Sequence, residues 1–302
     1  MNKRIGILLT IIGGICWGAS GVAGQCLLEM SDITSRWLVP VRLLMSGILL
    51  IIYQACKSGA KVFDIWKNRR DAIDMLIYAI VGIMLCQYTY FYTIEYSNAG
   101  TATILQYVAP VLIMGVTCFM QRRVPLMSEV LCIILALAGV FVIATHCKTD
   151  ELAISPRALI VGLLSAVTVV IYNIQPMRLM RRYSAVYLLA WALLVGGAVI
   201  SLIFKPWECM PMLNIKRILL VCVTVVVGSV MGFSLYLNGV KMIGATSASV
   251  IASMEPVTAA VLSVAFLGSP FTVYDLIGFL LIISTIIILA TAKDKISSEV
   301  SA

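Results

Sequence analysis

Apolar residues along this chain come in runs of about 20, separated by short charged clusters, and a run of that length predicts a helix that crosses a lipid bilayer. Such runs fall near residues 5–27, 35–56, 72–94, 98–120, 126–146, 157–177, 184–204, 215–237, 243–267 and 272–292. The pattern therefore predicts an all-α membrane protein of ten transmembrane helices. The connections are short, and the longest, "KSGAKVFDIWKNRRD" at 57–71, is basic and expected to lie along the membrane surface. The opening "MNKRIGILLTIIGGICWG" has the character of a signal peptide. It lacks a convincing cleavage site and similar spans follow it, so it reads as a retained helix.

Composition agrees: 61% of residues are hydrophobic, 12% are charged and the mean hydropathy is +1.04. A soluble domain carries about 25% charged residues. The net charge of +8 gains its meaning from where the charges fall. With the N-terminus inside, fifteen of the 22 Lys and Arg residues face the cytoplasm, six face outward, and Arg42 lies within a span. That bias predicts cytoplasmic termini in a bacterial inner membrane. It also assigns the basic charge to insertion and anionic lipid, with no nucleic-acid partner. Of the nine cysteines, Cys16, Cys86, Cys118, Cys132 and Cys222 sit within apolar runs and read as packing residues. Cys147 and Cys209 lie in predicted loops, where a disulfide between them is an alternative.

The chain repeats itself. A shift of 146 residues lays "NAGTATILQYVAPVLIMGV" (98–116) on "GATSASVIASMEPVTAAVL" (244–262), so that Ala99, Ala102, Pro110 and Val111 meet Ala245, Ala248, Pro256 and Val257. The same register brings Tyr90 onto Tyr236 and Glu129 onto Asp275. An offset of this size spans five helices, and an odd number per copy inserts the second copy upside down. Two inverted five-helix repeats, 1–146 and 147–302, follow, an architecture of many secondary transporters.

With those residues in view, the chain resembles the EamA-type, ten-helix branch of the drug/metabolite transporter superfamily. The resemblance rests on "WGASGVAGQ", "VRLLMSG" with Arg42, "SNAGTATILQYVAPV", "GATSASVIASMEPVTAAV" and "DLIGFLLIISTIIIL". It implies two inverted bundles around a central substrate cavity and export of small metabolites such as amino acids. The family's usual Gly-Glu pair after helices 4 and 9 is replaced here by "QRRV" (121–124) and "GSPF" (268–271), so a mechanism using those carboxylates does not carry over.

Glu255 stands out as a carboxylate within an apolar run. Ala248, Ala252 and Ala259 share its helical face, a small-residue stripe of the kind that packs against other helices. Pro256 has no N–H and so frees the Ala252 carbonyl, while Pro110 frees that of Gln106. Freed carbonyls are tolerated at membrane depth where they line a wet cavity. Glu255 is thus either a proton-coupling or substrate-ammonium site or a structural carboxyl bonded to a neighbouring helix. Arg42 has three readings: it binds a substrate carboxylate, pairs with Glu255 or Glu29, or snorkels to the outer headgroups.

The expected path is lined by Trp17 and Ser20 on helix 1, Tyr88 and Tyr92 on helix 3, and Gln106 and Tyr107 on helix 4. Tyr172 and Asn173 on helix 6, Ser234 and Asn238 on helix 8, and Ser249 and Ser253 on helix 9 complete it, with Tyr236 also on helix 8. Rows at i, i+4 spacing supply hydrogen-bonding groups and flat walls. An outer aromatic belt is the alternative for Tyr90, Tyr92 and Tyr96. Pro110 and Pro256 are the expected hinges, and helices 5 and 10 are expected to brace the outside, available to a homodimer partner.

No enzyme is expected. "GASG" at 18–21 fits an intramembrane serine protease pattern, but the only histidine, His146, lies at the far end of helix 5. Neither a phosphate loop nor metal-ligand spacing is present, so no cofactor or metal is expected. Protons and a small molecule are the expected ligands. A nucleotide-sugar exchanger wants deep basic groups, and only Arg42 is available; a membrane sensor or assembly protein is the remaining alternative.

Overall fold

The computed structural model describes the chain except residues 1–2, 121, 123, 147–152, 213, 244–247, 249–250, 253, 270 and 300–302. The described residues are helices and short turns, with no strand among them. The helices are α1 (Lys3–Leu28), α2 (Ser35–Ser58), α3 (Asp64–Lys67), α4 (Arg69–Ile77), α5 (Leu85–Glu95), α6 (Ala99–Gln106) and α7 (Ala109–Met120). They continue with α8 (Met127–Thr145), α9 (Pro156–Ile174), α10 (Met177–Met180), α11 (Ala185–Phe204), α12 (Ile215–Cys222), α13 (Phe233–Ile243), α14 (Met254–Leu267) and α15 (Val273–Glu299).

Among the described residues, seven helical segments are long and apolar enough to cross a membrane: Arg4–Leu28, Ser35–Lys67, Arg69–Glu95, Ala99–Met120, Pro156–Met180, Ala185–Phe204 and Ile215–Gly239. Three shorter apolar helices, Met127–Ile143, Met254–Leu267 and Val273–Thr285, stand with them. The ends are chemically marked. Asn68, Asn98, Ser155, Ser184 and Asn214 each accept a backbone N–H from the first turn of the helix they precede, which satisfies donors that have no partner within the helix.

Several spans are not continuous α-helix. The third carries a π-helical stretch, Tyr78–Met84, between α4 and α5, and a second, Val223–Gly232, joins α12 to α13. The fourth is broken at Tyr107–Val108, between α6 and α7. Pro110 lies just beyond the break and lacks the N–H that the Gln106 carbonyl would use in an unbroken helix. The basic 57–71 segment does more than follow the surface. Its short helical turns fold against α11, where the Val62 carbonyl accepts the Tyr187 hydroxyl at 2.7 Å and Trp191 Nε1 at 2.8 Å.

Lipid is as apolar as the side chains, so helix association depends on close packing. α2 packs against α11 and α8 against α15. At the first seam Gly47 meets the backbone of Leu193 and Leu194, while Gly197 meets that of Leu43 and Leu44. Rising numbers on α2 therefore face falling numbers on α11, an antiparallel pair. At the second seam a Cβ on Gly139 would come 2.7 Å from Ile282. α1 runs through the middle and touches α13, α14 and the second π stretch, while α9 touches α5, α6 and α7.

Candidate functional site

α1, α2, the first π stretch, α5, α6, α7, α9, α10, α11, α13 and α14 contribute to two chambers that share Trp17, Ile83, Gln106, Tyr172, Phe233 and Glu255. The smaller, of about 70 Å³, is completed by Ser20, Gly21, Arg42, Cys86, Gln87 and Tyr90. The larger, of about 240 Å³, has a mainly apolar wall that includes Tyr78, Ile113, Val169, Leu189, Tyr236 and Leu237. Together they approach the lower end of the size range of small-molecule sites, roughly 300–1,000 Å³.

The larger chamber extends toward the end of the bundle where α1 begins. Gly13 of α1 packs on Tyr236 and Gly6 on Met242 and Ile243; Leu237, between those levels, shares the chamber with Met180 and Ala185. The end where α1 finishes is tied together by Gln25, which is only 3% exposed. Its Oε1 accepts from Ala99 N at 2.9 Å and Ser263 Oγ at 3.0 Å. Its Nε2 donates to Glu29 at 2.9 Å and Ser269 Oγ at 2.8 Å. One amide thereby uses all four of its hydrogen-bonding positions to join α1, α6, α14 and the turn after α14.

Arg42 does not reach the headgroups: it is 4% exposed. Its Nε–H is shared between the Thr224 carbonyl at 3.2 Å and Ser229 Oγ at 3.1 Å, and Nη1 donates to Gln87 Oε1 at 3.0 Å. The guanidinium also lies over the Phe91 ring at 4.6 Å, a favourable placement for a cation. Thr224 lies inside the π stretch, where the changed winding disturbs the usual carbonyl pairing, and its carbonyl also accepts from the Ser20 hydroxyl, at 3.5 Å.

At the junction of the chambers the Tyr107 hydroxyl donates to the Ala252 carbonyl at 2.9 Å and lies 3.3 Å from Glu255 Oε2. The carbonyl is the one that Pro256 leaves free. α1 lies directly on this turn, since a Cβ on Gly18 would meet the Glu255 carbonyl and the Thr258 side chain, each at 2.7 Å. Gln106, next to the first break, donates to Ser165 Oγ at 2.6 Å. Trp17 packs on Phe233 and Tyr236, with ring centroids 4.9 and 5.0 Å away.

Of the residues singled out in the sequence, Trp17, Ser20, Arg42, Gln106, Tyr107, Tyr172, Asn173 and Glu255 line the chambers. Tyr88 and Tyr92 do not; they form an aromatic row with Phe204 and Tyr96. Arg36 lies over Phe204 and Arg157 over Tyr96, the arrangement of an interfacial belt. Tyr90 leaves that belt, faces the small chamber and bonds Thr103 Oγ1 at 2.8 Å. On α13, Asn238 is exposed and bonds the Ser234 carbonyl, while Phe233, Tyr236 and Leu237 supply the wall. Ser249 and Ser253 lie outside the described residues, as do Cys147 and the Pro110 side chain. Ile83, Gln87 and Phe233 were not singled out. Gln87, one residue from Tyr88 in a span expected to line the path, is the one polar residue among them. Ser20 and His146 are not brought into partnership: Ser20 faces the Thr224 carbonyl, and His146 ends α8 and meets Asp275 at 3.2 Å.

The fold and site define a multi-pass helical membrane protein with a central cavity of mixed polar and aromatic lining. The chain belongs to the EamA-like transporter family, which it matches over residues 4–145 and again over 156–291. It is 36% identical over 289 residues to the uncharacterized inner membrane transporter YicL of Salmonella typhimurium, covering 96% of each chain. It is 22% identical over 310 residues to the uncharacterized transporter YetK of Bacillus subtilis, covering 98% of this chain and 90% of that one. A solved crystal structure superposes with a TM-score of 0.66 at 16% identity, covering 98% of this chain and 99% of the other; that likeness concerns the fold alone. The chain is thus a membrane transporter, with a small molecule as its cargo.

Proposed function

We propose that this transporter is a secondary carrier that exports amino acids or related small metabolites by alternating access, with both termini in the cytoplasm of a bacterium. The reading takes all ten apolar helices as membrane-crossing, in two inverted halves that rock about the paired proline blocks at Pro110 and Pro256. Several relationships support it. The 146-residue shift carries the first π stretch, Tyr78–Met84, into the second, Val223–Gly232. It carries Gly47 onto Leu193, its own contact across the α2–α11 seam, and Gly82 onto Gly228; Gly82 packs on Tyr172 of α9 and Gly228 on Ser20 of α1. Such reciprocity is what a two-fold axis in the membrane plane produces.

The observation that carries the reading is the asymmetry of the cavity, which is tied shut by Gln25 at one end and extends past Leu237 to Met180 and Ala185 at the other. Glu255 and Tyr107, where the halves touch, are the proposed moving contact, and Glu255 the proposed proton site. The test is uptake of a panel of amino acids and metabolites into proteoliposomes, with and without a pH gradient. A cysteine pair replacing Tyr107 and Ala252, once crosslinked, is expected to stop transport. Undiminished transport by the crosslinked protein overturns the rocking mechanism.

A further inference from the structure

A guanidinium at the depth of a bilayer is stable only when its charge and donors are answered. Arg42 is answered incompletely. Its described acceptors, the Thr224 carbonyl, Ser229 Oγ and Gln87 Oε1, are all neutral. Among the described residues no carboxylate lies within the 4.0 Å of an ion pair. Glu255, which lines the same chamber, is bonded to Tyr107 instead. The hydrogen bonds engage Nε and Nη1, and Nη2 has none among the described residues. This nitrogen lies on the Gly228–Ser20 side, where a Cβ on Gly228 would come 3.1 Å from it.

The chamber around it is small: Ser20, Gln87, Tyr90, Gln106 and Glu255 contribute polar groups to a wall that is otherwise apolar. An added side chain at Gly228 would meet Ser20 at once, so glycine there lets Ser20 and the guanidinium pack directly on the backbone of the second π stretch. A cation fixed by three neutral acceptors and an aromatic face, in the wall of a space of about 70 Å³ and with one nitrogen still without a described acceptor, is a preorganised receptor for a negative group. Arginine is the side chain best suited to hold one in a fixed geometry.

We infer that the small chamber is an anion site, in which Arg42 receives one compact negative group through Nη2, most simply a carboxylate. The group has two possible sources, a carboxylate carried by the transported molecule or a free halide that accompanies transport. The inference rests on the transport reading for its purpose but not for its chemistry, because anion binding is measurable without flux.

The test uses the full-length protein in detergent and in nanodiscs. Acetate, propionate and chloride are titrated separately at constant ionic strength, and tryptophan fluorescence and the unfolding temperature are followed. Wild type is expected to show saturable binding. Arg42→Gln is expected to weaken it about tenfold or more, the scale of one lost charge-assisted hydrogen bond. Because Arg42→Gln can compromise folding, Gln87→Glu gives a second reading. It is nearly isosteric and places a carboxylate beside Nη1, so it is expected to raise the unfolding temperature and also to abolish binding of added anions. Binding of the carboxylates alone assigns the site to the cargo; equal binding of chloride assigns it to a free anion. Absence of saturable binding in wild type, or binding unchanged in Gln87→Glu, overturns the anion site. A failure of flux with anion binding intact would instead overturn the transport reading.

Discussion

The hydroxyl of Tyr107, at the break in the fourth span, donates to the carbonyl of Ala252, which Pro256 has deprived of its helical partner. The break in the fourth span and the carbonyl freed by Pro256 thus meet through a 2.9 Å hydrogen bond. Tyr107→Phe leaves the ring and removes the donor. A buried acceptor without a partner costs about 1–3 kcal/mol, and the expected result is a lower unfolding temperature together with a slower transport cycle. Thermal unfolding and initial uptake rates check the two effects separately. A stable protein with unchanged rates would remove Tyr107 from the moving contact.

Glu255 lies 3.3 Å from the same hydroxyl. The Tyr107 proton is already directed to Ala252, so a protonated Glu255 can donate to the Tyr107 oxygen, whereas an ionised one cannot. Glu255→Gln keeps a donor and removes the titration. Gradient-driven uptake is expected to fall to background while substrate exchange between the two sides persists. Proteoliposomes carrying a pH gradient, compared with substrate-loaded vesicles lacking one, make the distinction. Equal uptake by both proteins would make Glu255 a structural residue of a facilitative carrier.

Much of the fold was legible because a bilayer imposes a length. The apolar runs at 5–27, 35–56 and 184–204 reappear as α1, α2 and α11 to within two residues at each end. The proline argument was legible for the same kind of reason, since a missing N–H leaves a particular carbonyl free, and Ala252 found its partner in Tyr107. Orientation around a helix was less legible. An i, i+4 pair such as Tyr88 and Tyr92 defines a face without saying what that face meets, and here it meets Phe204 and Tyr96 while Tyr90 points inward. The π stretches left no signature in hydropathy, because changing the winding changes no residue type. Arg42 could not be placed because the snorkelling and buried readings use the same side chain; Gln87 and Ser229, distant in sequence, hold it inside.

At the end of the bundle where α9 finishes, Asp71 is 1% exposed and receives Arg178 at 2.8 Å, Arg182 at 3.2 Å and the Tyr183 hydroxyl at 3.2 Å. The cluster fastens the start of α4 to the turn after α10. Asp71→Ala takes their common anion from the two arginines, of which Arg178 keeps Asp74 at 2.6 Å. Both are partly exposed, so solvent moderates the loss to about 1–3 kcal/mol, readable as a lower unfolding temperature. Tyr183 adds a pH dependence. Partial burial, and then the Asp71 charge, raise its phenol above the ordinary value of 10.0. The folded protein therefore holds this proton more tightly than the unfolded chain. Its stabilising share is complete below about pH 10 and is lost as the pH rises through the folded value. Tyr183→Phe is expected to flatten that alkaline decline in unfolding temperature, and an identical decline in the variant would exclude the link.

Gln25 is where the closed end of the cavity is most exposed to a single change. Gln25→Leu preserves approximate volume but deprives Ala99 N–H and Ser263 of an acceptor and Glu29 and Ser269 of a donor. The tied conformation loses bonds that the opened one does not need, so the population shifts toward opening at the end where α1 finishes. Cys86 reports this directly, because it lines the small chamber and is buried. Its modification by a membrane-impermeant thiol reagent, applied from that side and read by mass spectrometry at this residue, is expected to be slow in wild type and about tenfold faster in Gln25→Leu, the effect of a shift of about 1.4 kcal/mol. Equal rates in the two proteins would show that the Gln25 bonds hold the helices together without governing access.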